Sequence, residues 1–244
     1  MTAPTSVILN VGGASTPTLV YDLPGPGPHP AVVLSPEAYG INEFTRDVAS
    51  RLNAAGYVVV VPDYYRGNGL KEPDNYLDFS EVMEFIGNLD FVEATRDILA
   101  GIDHARSLSN VDGDRVAVWG YCTGSTLAML SAAVDRRLAA AVIFFPSQPT
   151  FPVHDDRHPL DPIDVLWAVK CPIQFIYGDA DEILVDLMPE VARRLTAWRI
   201  DHRIDVYPGA GHAFSAPVAP LRNDAADVAS WADATAFLAL HLQG

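Results

Sequence analysis

Basic side chains are scarce in this chain: 16 lysines and arginines stand against 31 aspartates and glutamates over 244 residues, a formal charge of −15. That deficit argues against nucleic acid and anionic membrane surfaces, both of which attract basic patches. Cysteine is nearly absent, with only Cys122 and Cys171, so there is no disulfide framework and a reducing compartment is expected. Long apolar runs are missing too. The longest, residues 57–61 and 138–145, are far too short to span a bilayer. Residues 1–10 lack a basic start followed by an apolar stretch, so no secretory signal is read. No phosphate-binding glycine loop of either common type occurs, which predicts no nucleotide cofactor. These absences describe a cytoplasmic protein without nucleic-acid or membrane partners, a monomer or small homo-oligomer.

What is present is enough apolar material for a core. Hydrophobic residues make up 49% of the chain, which excludes a disordered or low-complexity sequence. Short apolar runs alternate with amphipathic stretches, the pattern of strands joined through helices into a mostly parallel sheet. Strands are predicted over residues 6–11, 18–21, 31–34, 58–61, 115–119, 139–145, 173–177 and 203–206. Helices are predicted near 44–55, 91–108, 124–134, 189–199 and 224–240, with a short one within 67–88. In the first of them Phe44, Val48, Leu52 and Ala55 recur at helical spacing. No repeat or long linker divides the chain. The expectation is one α/β domain over residues 1–244 with about seven or eight strands. Excursions near 67–88 and 146–165 are candidate lids, the second being rich in proline.

The most informative stretch runs Val116-Ala117-Val118-Trp119-Gly120-Tyr121-Cys122-Thr123-Gly124-Ser125. It passes from a strand into a helix, with glycines two residues before and two after Cys122. That is a nucleophile elbow with cysteine in the serine position. The central residue of such a turn is strained and crowded by strand and helix, so its neighbours must be small. A helix N-terminus favours a thiolate there, and the Thr123 amide can hold a developing oxyanion. The competing reading is a buried cysteine acting as a small apolar filler.

An α/β-hydrolase fold places an acid and then a histidine downstream, each on a loop after a strand. Asp179 and Asp181 both follow the strand at 173–177; Asp181, three residues after Gly178, is the predicted triad acid. His212 follows Gly211 after the next strand, 31 residues beyond Asp181. Asp181 would fix the imidazole tautomer and His212 would carry protons. The other six histidines, His29, His104, His154, His158, His202 and His241, lack that strand-and-glycine context.

With Cys122, Asp181 and His212 in this order, the chain resembles the dienelactone hydrolase family, the carboxymethylenebutenolidases, from about residue 31 to 240. The likeness rests on Ser35-Pro36-Glu37-Ala38-Tyr39-Gly40, on Val61-Pro62-Asp63-Tyr64-Tyr65, on the Gly-Tyr-Cys-x-Gly elbow and on Gly-His-Ala-Phe. It implies that Glu37 lies beside the nucleophile and helps generate the thiolate when substrate arrives. The resting thiol would then be protonated and protected from oxidation. It also implies the Ala38 amide as second oxyanion donor, and Tyr39, Tyr65, Phe145 and Ala213 as pocket residues. Family members acting on dienelactone bind its carboxylate with arginines, one of them four residues after the histidine. Here that position is Ala216, and no arginine occurs between Arg66 and Arg96. Lys71 and Arg222 are the nearest substitutes, and neither occupies a motif position. The expected substrate is therefore a neutral ester or lactone, hydrolysed through a thioester with no metal or cofactor. A ligand-binding protein on the same scaffold and an acyltransferase are the alternatives.

Three further signals are read as structural. His154 and His158 flank an arginine in a Pro-rich loop and are expected to be solvated, not metal-binding. The eight carboxylates at 72, 74, 78, 81, 84, 90, 93 and 97 are expected to be the wet face of a helix and loop. Cys171 precedes Pro172 at a strand entrance and is expected to pack.

Overall fold

The computed structural model describes residues 3–70, 80–218 and 220–243. It begins with a hairpin, β1 (Thr5–Val11) against β2 (Ala14–Tyr21), turning at Gly12 and Gly13. Both glycines have positive φ, as a two-residue hairpin loop requires. Then come β3 (His29–Ser35), β4 (Val58–Pro62), β5 (Val111–Tyr121), β6 (Ala140–Phe144), β7 (Ile173–Gly178) and β8 (His202–Tyr207). Among the described residues they form one sheet in the order β1-β2-β4-β3-β5-β6-β7-β8, antiparallel as far as β4 and parallel beyond it. Strands β4, β6 and β7 are buried at every position. That is why they read as unbroken apolar runs: strands covered on both faces have no wet side on which to alternate.

Six α-helices are described: α1 (Glu43–Ala54), α2 (Ser80–Asn88), α3 (Phe91–Ser107), α4 (Thr123–Val134), α5 (Met188–Ala197) and α6 (Asp224–Leu242). Side-chain oxygens of Asn42, Asp90 and Asn223 accept from the first-turn amides of α1, α3 and α6, satisfying donors that lack partners within the helix. Helices α3 and α4 pack together on one side of the sheet. On the other, the Arg51 guanidinium of α1 sits 3.7 Å over the Trp231 ring of α6. No helix of the described residues is long and apolar enough to cross a membrane.

The α/β-hydrolase architecture agrees with the expectation, and the differences have tertiary causes. Strand β2 begins at Ala14 because it pairs back onto β1 as far as Val11. Strand β5 starts at Val111, where it meets His29 at the foot of β3. Residues 146–161 hold no helix or strand, ending in two 3-10 turns at Pro162–Asp164 and Leu166–Ala168. Residues 71–79, which include Lys71 and the carboxylates at 72, 74 and 78, lie outside the described residues. Asp97 is a correction to the wet-face reading. It is fully buried, accepts from the Thr16 hydroxyl at 2.7 Å and from Arg66 at 2.9 Å, and so ties α3 to β2.

The order reverses at β3: the chain leaves it for β4 on one side and later returns to β5 on the other. A crevice opens beyond the C-terminal ends of strands at such a switch point. Ser35-Pro36-Glu37-Ala38 leaves β3 there, and Cys122 leaves β5.

Candidate active site

Cys122 stands at the head of α4 with φ 51° and ψ −118°, a strained conformation for a residue with a side chain. A Cβ on Gly120 would fall 2.4 Å from the Gly124 carbonyl oxygen, and one on Gly124 would fall 2.1 Å from that of Pro36. No side chain larger than hydrogen fits either place, so strand, elbow and the end of β3 meet in backbone contact. The Cys122 amide donates to the Phe144 carbonyl at 3.1 Å, while the Thr123 amide faces the sulfur.

His212 Nε2 is 3.4 Å from Cys122 Sγ, and His212 Nδ1 is 2.9 Å from Asp181 Oδ2. Asp181 is fully buried, and its other oxygen accepts from the Ile183 amide at 3.0 Å. Asp179 has a different position: it accepts from the Gly209 amide at 2.6 Å, bridging two loops. The Phe145 ring meets the imidazole edge-on, centroids 5.4 Å apart. Burial opposes ionisation of Cys122, yet the facing imidazole, the Ser147 hydroxyl and the Thr123 amide outweigh it and lower the thiol pKa. Burial likewise disfavours a charged His212, but the sulfur and Asp181 outweigh that and raise its pKa. Both directions favour a thiolate–imidazolium pair.

The Glu37 carboxylate accepts from the Tyr39 amide at 3.2 Å and from Asn42 Nδ2 at 2.7 Å. The Tyr64 hydroxyl donates to the Glu37 carbonyl at 2.9 Å. Glu37 lines a cavity of about 330 Å3 together with Ala38, Tyr39, Cys122, Phe145, His212 and Ala213. Tyr65 stands behind this lining, where burial, with Glu37 and Cys122 nearby, raises its pKa. Its ring packs on Tyr64 and Phe85, and it lines a separate cavity with Arg66 and Glu93.

Sequence reasoning missed part of the lining. Val82, Met83 and Ile86 of α2 form one wall, and Ser147 and Gln148 another. Ser147 Oγ lies 3.1 Å from Thr123 Oγ1 and donates to Gln148 Oε1 at 2.6 Å. The available signal was positional: both follow β6, and loops after strands build the active face of such sheets. No lysine or arginine lines the cavity among the described residues. The Arg222 guanidinium is committed to Asp224 and Asp227, at 2.5 and 2.8 Å. The His154 and His158 rings face separate carboxylates, Asp161 and Asp155. Cys171 is buried, its pKa pushed up to about 12 by desolvation.

The model of the dienelactone hydrolase family matches residues 17–242. The chain belongs to this family. A provisionally named carboxymethylenebutenolidase of Yersinia pestis is 32% identical over 201 residues, covering 80% of this chain and 72% of the relative. A Bradyrhizobium protein, provisionally named a 2-oxo-3-(5-oxofuran-2-ylidene)propanoate lactonase, is 29% identical, covering 88% and 85%. The crystal structure of a provisionally assigned dienelactone hydrolase from Klebsiella pneumoniae superposes with a TM-score of 0.81 at 25% identity, covering 98% of this chain and 99% of that one. As a member of the dienelactone hydrolase family the chain is an ester or lactone hydrolase with a small-molecule substrate. Ala216, four residues after His212, lies on the cavity wall.

Proposed function

We propose that the chain hydrolyses uncharged small esters or lactones through a thioester on Cys122. One observation carries this reading: the Cys122–His212–Asp181 chain, 3.4 and 2.9 Å per link, stands at a largely apolar cavity. The Cys122 thiolate attacks the carbonyl carbon, and the amides of Thr123 and Ala38 receive the negative oxygen. As the tetrahedral intermediate collapses, the imidazolium at His212 Nε2 gives its proton to the departing alkoxide. A water then transfers a proton to His212 as its oxygen attacks the thioester carbon. Collapse of that second intermediate expels the thiolate, and the acid leaves with its protons balanced by solvent. Buried Asp181 holds the Nδ1 proton and stabilises the imidazolium. Glu37, oriented by Tyr39 and Asn42, shares the cavity with the sulfur and is assigned to the proton traffic that sets the thiolate.

The uncharged substrate class follows from the lining. Among the described residues the wall is mostly apolar and carries no lysine or arginine, which favours uncharged acyl and alkoxy groups. The lactonase name of the Bradyrhizobium relative supports including cyclic esters, while the propanoate in that name carries a carboxylate and makes the charged members of the panel below the decisive comparison.

The test is a panel of short neutral esters and lactones, with and without a carboxylate, given to the parent and to Cys122→Ala. The parent is expected to turn over neutral members, and the variant none above background. A Cys122→Ala protein as fast as the parent would end the proposal.

A further inference from the structure

The cavity above Cys122 has a neighbour across its α2 wall. Met83 and Ile86 on that helix, and Gln148 on the loop after β6, also line a second, open chamber of about 300 Å3. Beyond this shared partition stand Phe91, Phe151 and His158, whose rings pack against one another with centroids 4.7, 4.9 and 5.4 Å apart. Such aromatic walls favour apolar, flat groups. Arg157 borders the chamber too, but its guanidinium is 3.5 Å from Asp155, which also contacts His158 at 2.9 Å. Among the described residues the rim therefore offers a carboxylate no unbalanced positive charge. Met83 is 58% exposed, and an unbranched thioether on a partition can move aside for a ligand.

We infer that this second chamber holds the distal arm of the substrate, an uncharged aryl or alkyl group attached to the ester whose carbonyl Cys122 attacks. The inference rests on the hydrolase reading above and adds a specificity site to it. Gln148 serves both chambers: its Oε1 accepts from Ser147, which leaves its amide hydrogens for a passing substrate oxygen.

Gly87 makes the inference testable. It borders the second chamber but not the first, and a Cβ there meets nothing within 4 Å. Gly87→Leu thus fills the chamber without touching the groups around Cys122, and it places a better helix former in α2. Two matched pairs extend the substrate on either side of the ester: 4-nitrophenyl acetate with 4-nitrophenyl 4-phenylbutanoate, and butyl acetate with 4-phenylbutyl acetate. The parent is expected to favour the extended member of at least one pair by about tenfold in kcat/KM. Gly87→Leu should erase that preference while leaving the short esters unchanged, which also certifies that the variant is folded. A Gly87→Leu protein that keeps the parent's preference overturns the inference, as does a parent that favours neither extended ester. Preference for an arm ending in a benzoate over one ending in phenyl would overturn the uncharged class. Failure of the hydrolase reading is seen separately, as unchanged turnover of 4-nitrophenyl acetate by Cys122→Ala.

Discussion

Replacing Gly124 by alanine perturbs stability and catalysis through one contact. The new Cβ would lie 2.1 Å from the Pro36 carbonyl oxygen and 2.3 Å from that of Ser35, whereas ordinary contact begins at 3.4 Å. The head of α4 must therefore withdraw from the end of β3 by roughly 1 Å, since neither backbone segment can yield as a side chain would. Those two segments carry the two proposed oxyanion donors, Thr123 on one and Ala38 on the other. Misplacing reacting groups by about 1 Å costs on the order of 100-fold, because the donors then miss the charge that develops in the transition state. Overpacking of this kind costs about 1–3 kcal/mol. At about 2–4 °C per kcal/mol for a domain of this size, Tm should fall by roughly 2–12 °C. Steady-state kinetics on a short ester, a thermal melt and thiol labelling would be measured together. The expected result is a fall in kcat/KM of about 100-fold, a lower Tm and persistent labelling of Cys122. Gly124→Ala with the parent's kcat/KM and Tm would refute the argument that the elbow and the β3 end are in backbone contact.

The two cysteines should label very differently. Cys122 has a lowered pKa and Cys171 one near about 12, so iodoacetamide near neutral pH should modify Cys122 far faster. The Cys122 rate should persist as pH falls below the ordinary thiol range. His212→Ala removes the stabilising imidazolium, raises the Cys122 pKa and slows labelling at neutral pH; an unchanged profile would dissociate the pair. Arg66→Ala strands the buried Asp97 carboxylate and should cost about 3 kcal/mol in urea denaturation. Adding Asp97→Asn should recover part of that loss, and a double variant no more stable than Arg66→Ala would contradict the role of Arg66 as counterion. Arg222→Ala should leave kcat/KM for neutral esters unchanged, because its guanidinium is turned to Asp224 and Asp227. A large rise in KM would place a cation in the site after all.

How far the sequence could be read depended on whether a residue's neighbours were local. The elbow was legible because Gly120, Cys122 and Gly124 are consecutive constraints on one turn. The helices near 44–55, 91–108 and 224–240 were legible from local periodicity, and Asn42, Asp90 and Asn223 cap them by accepting from the amide three residues on. Asp97 was misread because its partners, Thr16 and Arg66, come from distant segments. A carboxylate on an amphipathic helix carries no local mark of a counterion reaching it from a loop 31 residues earlier.

By itself, then, the sequence determined the alternation of strands and helices, the strained turn at Cys122, the order of acid and histidine, and the shortage of basic groups. Periodicity, small residues at a turn and charge are properties of neighbours along the chain. The tertiary structure alone decided how near the sulfur lies to the imidazole, and that α2 and the loop after β6 wall the cavity. It also located the missing charge, with Ala216 on the cavity wall and Arg222 turned toward α6. Those facts depend on how separate loops converge at the switch point beyond β3 and β5, where packing, not local propensity, sets distances.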